Sequence, residues 1–65
     1  MFSERLKIAR NAKGLTQKQV AEHLEINLKA YQHYEYNVAK PSFDGIVKLC
    51  QLLEVSSDYL LCLKD

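Results

Sequence analysis

The sequence predicts an all-α domain. Apolar residues recur at a period near 3.6, strand-like alternation never persists, and Thr, Asn or Ser stands just ahead of apolar runs where helix caps belong. The 65 residues make one domain spanning 1–65, with 48% hydrophobic content, too high for disorder. A chain this small buries only ~60% of its unfolded surface, so each capped boundary matters to its stability.

The first helix is expected over about 3–13, with Ser3 as N-cap. Phe2, Leu6 and Ala9 share one face, with Ile8 and Ala12 beside it. Gly14 then stops the helix from the position just past its end. The second helix begins after Thr16, where Thr16 and Gln19 form a T-x-x-Q capping box. It turns Val20, Ala21 and Leu24 inward and ends near 24 or 25. Asn27 caps the third helix, about 28–36, which buries Tyr31 and Tyr34. Residues 36–41 form a loop, since Asn37 tolerates the left-handed conformation and Pro41 disfavours a helical Lys40. Ser42 caps a fourth helix, about 43–53, with Phe43, Ile46, Val47, Leu49, Cys50 and Leu53 inward. Ser56 caps a short last helix containing Tyr59, Leu60, Leu61 and Leu63.

Composition narrows the function classes. No apolar run approaches the ~20 residues of a membrane span, and no basic-then-apolar leader opens the chain, so a cytoplasmic location is expected. Cys50 and Cys62 are expected to stay reduced, and His23 and His33 lack partners at metal-ligand spacing. No metal or other cofactor is expected. No paired carboxylates, phosphate-cradling glycine loop or Cys/His dyad can be placed, so the chain does not read as an enzyme.

The segment 17–34 is the most informative. Two short helices joined by two or three residues cannot lie antiparallel, which leaves the second with a free polar face. Leu28, Lys29, Gln32 and His33 sit on or beside that face. A helix held proud of a small globule and carrying such groups suits the DNA major groove. Net charge is only +1, but residues 1–13 carry +3 and residues 41–65 carry −2, so a positive end lies near this unit.

Taken together, the residues resemble the Cro/C1-type (XRE-like) helix-turn-helix repressors. The carrying segments are RLKIARNAKGLTQKQVAEHL, the third helix with Tyr31, Tyr34 and Glu35, and KPSFDGIVKLCQLLEVSSDYLL. The resemblance implies a five-helix, lambda-repressor-like DNA-binding domain acting as a transcriptional regulator, usually a repressor. It implies binding as a homodimer to an inverted repeat in double-stranded DNA. Base contacts are implied at Asn27, Leu28, Lys29, Gln32 and His33, and phosphate contacts at Gln17, Asn37 and Lys40. An ion pair between Arg10 and Glu35 is implied as well. Tyr59, Leu60 and Leu63 are expected to form a dimer contact, and the length leaves no small-molecule effector domain. Two departures stand out: Glu25 occupies the inter-helix turn where glycine is usual, and tyrosines replace aliphatic residues at 31 and 34. The alternative reading is a protein-interaction module on the same scaffold, antitoxin-like or an anti-repressor, supported by Tyr31, Tyr34 and Tyr36.

Overall fold

Capping chemistry sets the helix boundaries. A computed structural model describes residues 1–63 and holds five helices: α1 Phe2–Ala12, α2 Gln17–His23, α3 Leu28–Glu35, α4 Phe43–Leu53 and α5 Ser57–Leu60. The Thr16 hydroxyl accepts from the Gln19 N–H at 3.0 Å, and the Gln19 side-chain oxygen accepts from the Thr16 N–H at 2.8 Å. Asn27, Ser42 and Ser56 accept from the N–H groups of Ala30, Gly45 and Tyr59, each three residues on. Each such cap stabilises its helix by ~1 kcal/mol. The first helix departs from expectation. It starts at Phe2 with Met1 as an N-cap that makes no side-chain bond, and Ser3 is buried in the first turn. Phe2 lies four residues before Leu6, so it joins the buried stripe only if the helix already includes it.

Left-handed residues terminate or connect the helices. Gly14 follows α1 at φ +70, Glu25 lies in the α2–α3 turn at φ 60, Asn37 follows α3 at φ 62 and Glu54 caps α4 at φ 56. The Ile26 N–H reaches back to the Ala21 carbonyl at 3.0 Å across the Glu25 turn. A side chain at such a φ costs about 1 kcal/mol. Glu25→Gly is therefore expected to raise the urea midpoint by an amount equivalent to about 1 kcal/mol. An unchanged or lower midpoint would show that no strain resides there. Gly45 answers a different demand: a Cβ there would meet Pro41 Cβ at 3.0 Å, so the small residue lets the loop cross the first turn of α4.

The core draws on every helix. Phe2, Leu6 and Ala9 meet Val20, Ala21, Leu24, Tyr31, Leu49, Leu53 and Leu60. α2 packs on α3, α1 packs on both α3 and α5, and α4 packs on α5. Two residues expected inward are exposed, Val47 and Phe43, the latter at 80%; Ile8 and Ala12, expected beside the buried face of α1, are exposed as well. In α4 the buried line runs through Leu49 and Leu53. Stepping round at ~100° per residue carries Ile46 and Cys50 to its margin and Phe43 and Val47 beyond it. The apolar stripe is simply wider than the surface available to cover it.

The C-terminal end also differs from expectation. Leu60 is 0% exposed and lies in the core, so it cannot form a dimer contact. Tyr59 is half-buried: Arg5 Nη1 donates to its carbonyl at 2.8 Å, and the guanidinium stands 4.8 Å from its ring centroid. Thus α5 closes the monomer against α1. Leu61 and Leu63 remain exposed. No helix among the described residues is long and apolar enough to cross a membrane.

Candidate nucleic-acid interface

α3 is held from beneath by one carboxylate. Glu35 is 2% exposed and accepts from three side chains on three helices. Arg10 of α1 donates through Nε to Oε2 and through Nη2 to Oε1, the latter at 3.2 Å. Gln17 of α2 donates Nε2 to Oε1 at 3.0 Å. The Tyr31 hydroxyl donates to Oε2 from one turn earlier in α3. Arg10 Nη1 also donates to the Leu15 carbonyl at 2.9 Å, which ties down the loop before α2. The planar guanidinium fork is what lets one side chain serve both partners.

The network's protonation follows from its geometry. Burial alone would push the Glu35 carboxyl up, but hydrogen bonds from Arg10, Tyr31 and Gln17, with attraction to Arg10, hold it below the ordinary carboxylate range. Burial, then the neighbouring Glu35, raises the Tyr31 hydroxyl, so it remains a donor. The Tyr31 ring meets Tyr34 edge-on at a centroid separation of 6.2 Å. The hydroxyl that replaces an aliphatic side chain at 31 is thus satisfied internally.

The opposite face of α3 is open. Leu28 and Lys29 are exposed, and Gln32 and His33 are half-buried. None of the four is sealed within the subunit. Asn27 is exposed, and its side-chain oxygen caps α3 through the Ala30 N–H at 2.7 Å. Gln17 is occupied rather than free: it donates to Glu35 and accepts from Gln32 Nε2 at 3.1 Å. The capping box takes the N–H groups of Thr16 and Gln19, while no protein acceptor among the described residues takes those of Gln17 and Lys18. Gln17, Lys18 and Leu28 share an open groove with Gly14 and Thr16. Lys40 and Asn37 are exposed on the loop after α3, and Lys40 borders a separate cleft with Met1, Pro41 and Leu61.

Two participants escape the sequence reading. Tyr31 as a donor to Glu35 is signalled by their i, i+4 spacing. The Gln17–Gln32 bond carries no such signal, because the two residues lie on different helices.

A short tight turn, a capped second helix braced by a buried ion pair, and an outward polar face define a helix-turn-helix domain. A family described as "Helix-turn-helix domain" matches residues 3–65. The chain belongs to the Cro/C1-type (XRE-like) helix-turn-helix family, whose members are transcriptional regulators rather than enzymes. It is 43% identical over 61 residues to the SPbeta prophage-derived HTH-type transcriptional regulator YonR of Bacillus subtilis, covering 94% of this chain and 56% of that one. It is 45% identical over 60 residues to the HTH-type transcriptional regulator ImmR of the same organism, covering 92% and 47%. To the cryptic phage CTXphi transcriptional repressor RstR of Vibrio cholerae it is 39% identical over 59 residues, covering 91% and 53%. The crystal structure of a transcriptional regulator from Listeria innocua superposes with a TM-score of 0.85 at 27% identity, covering 92% of this chain and 56% of that one. The chain therefore spans about half the length of the relatives it matches.

Proposed function

We propose that the chain is a sequence-specific DNA-binding transcriptional regulator, acting as a repressor, that inserts α3 into the major groove. The supporting observation is the division of α3 into two faces. Tyr31 and Glu35 anchor one, while Leu28, Lys29, Gln32 and His33 remain accessible on the other. Lys29 suits guanine O6 and N7, Gln32 suits adenine N6 and N7, and Leu28 suits a thymine methyl. Asn27 and His33 complete the base-facing set. Lys40, Asn37 and the free N–H groups at the start of α2 serve the phosphates. One such helix makes few base contacts, so the working unit is a two-fold dimer on an inverted repeat. Tyr59 and the exposed Leu63 are the surviving candidates for its contact.

The tyrosines favour this reading over a protein-interaction module. Tyr31 is fully buried and Tyr34 half-buried, which leaves only Tyr36 of the three exposed. The test is selection of duplexes from a random pool, then titration at several salt concentrations. A preferred palindrome and an affinity that falls steeply with salt are expected. Lys29→Ala and Gln32→Ala should each relax preference at one base pair, by about tenfold. Lys40→Ala should weaken all duplexes alike. A pool without preference, or equal effects from all three variants, would overturn the reading.

A further inference from the structure

We infer that the cleft between the start of α1, the Lys40–Pro41 loop and the residues after α5 binds a small amphipathic anion, a medium-length straight-chain carboxylate, and that this ligand loosens DNA by occupying Lys40. The loosening rests on the DNA-binding role proposed above; the binding does not. The cleft has a volume of about 340 Å³, within the range of small-molecule sites. Phe2, Pro41 and Ile46 supply its more buried apolar lining, while Met1 and Leu61 leave apolar surface in water. Lys40 is the one charged side chain in the lining. No acceptor among the described residues pairs with Lys40, whereas Lys13 is engaged by Glu54 at 2.7 Å. An apolar hollow with a single uncompensated cation is complementary to one negative charge on an apolar chain.

The walls of the cleft are held in place. Gly45 lets Pro41 lie against the first turn of α4, which fixes the backbone of the residue before it, Lys40. Past α5 the chain turns at left-handed Cys62, φ 62, and the Leu63 N–H donates to the Asp58 carbonyl at 2.8 Å, so Leu61 and Cys62 are fixed as well. A preformed site spares the cost of ordering it on binding. A second cleft, of about 400 Å³, shares Ile46 and Leu61 with the first and adds Phe43 and Val47, but no charged side chain lines it. Together they give the ligand a direction, with its head at Lys40 and its tail toward α4. At roughly 30 Å³ for each water-sized group, the first cleft alone holds a chain of about ten carbons. A carboxylate at Lys40 neutralises the charge that a phosphate would meet, so occupancy subtracts one phosphate contact from each half-site.

The experiment titrates the whole chain with sodium hexanoate, octanoate and decanoate, with acetate at equal concentration as the salt control, and follows the backbone amide NMR shifts. Saturable shifts centred on Phe2, Leu61 and Cys62 are expected, with affinity rising about fourfold for each added methylene. Lys40→Gln should weaken decanoate by about fivefold. Leu61→Glu, which sets a like charge in the cleft, should abolish its binding. With the selected duplex, saturating decanoate should lower the parent's DNA affinity by about fivefold per half-site and reduce the salt slope by about one per half-site. The duplex should weaken decanoate by the same factor, and Leu61→Glu should show neither effect. Shifts that do not saturate, or that ignore carboxylate length, would overturn the inference. So would decanoate binding that both variants leave intact, binding that leaves DNA affinity unmoved, or capture by phosphatidylglycerol vesicles without binding of the free acid. A parent that sediments as a dimer and binds no decanoate, and that Leu61→Glu splits, would assign the surface to a second copy instead. Failure of parent and variants alike to prefer any duplex would remove the DNA-reading role, with the amide titration still testing the cleft.

Discussion

Glu35→Ala is expected to lower the stability of the domain by about 3 kcal/mol, because it leaves a buried, hydrogen-bonded charge pair half removed. Arg10 would keep only the Leu15 carbonyl, and the Tyr31 hydroxyl and the Gln17 amide would each lose their acceptor. A core of this size rarely supplies more than ~3–5 kcal/mol. Each kcal/mol shifts the midpoint of a small domain by ~4–8 °C. The far-ultraviolet melt of the variant should therefore fall by about 12 °C or more, with appreciable unfolding already at room temperature. A midpoint within a few degrees of the parent would mean that the network contributes orientation but no stability. The same carboxylate sets an acid limb. Its folded pKa is held below the ordinary 4.5, so its contribution is present above that value and is lost as pH falls below it toward the folded pKa. Glu35→Gln should lack this part of the acid sensitivity, measured as the difference between the two pH–stability curves.

Leu60→Ala should produce a loss of similar size, about 3 kcal/mol, through the cavity it opens beneath α5. Leu60 is fully enclosed among residues from the other helices, while Leu63, three positions on, is 71% exposed. Leu63→Ala should accordingly change stability by less than about 0.5 kcal/mol. Paired urea titrations with unchanged slope would establish the contrast. Equal, small effects from the two variants would mean that α5 does not seal the core.

The contrast also shows where sequence reasoning reaches and where it stops. The boundaries set by Thr16, Asn27 and Ser42 are legible because a cap and its N–H partner lie three residues apart and need no tertiary information. The strained turn at Glu25 is legible for the same reason, since the turn's length and the usual glycine both mark it. Leu60, Leu61 and Leu63 are apolar and closely spaced, so only the docking of α5 on α1 decides which of them turns inward. Phe43 and Val47 fail differently: a helical period identifies a stripe but not how much of its width the neighbours cover. Within the interface, the composition of the α3 face can be read from spacing. The link from Gln17 to Gln32 cannot, because a polar contact between helices imposes no periodicity on either.

The Glu35 carboxylate offers about four lone-pair positions, and Arg10 fills two, Gln17 one and Tyr31 one. A saturated acceptor makes divergence at this junction one-sided. No substitution nearby can add a further donor, and each change at positions 10, 17 or 31 can only vacate a position already used. Sequence change on the face of α3 proposed to read DNA therefore has freer passage at Leu28, Lys29 and His33 than change at the three donors.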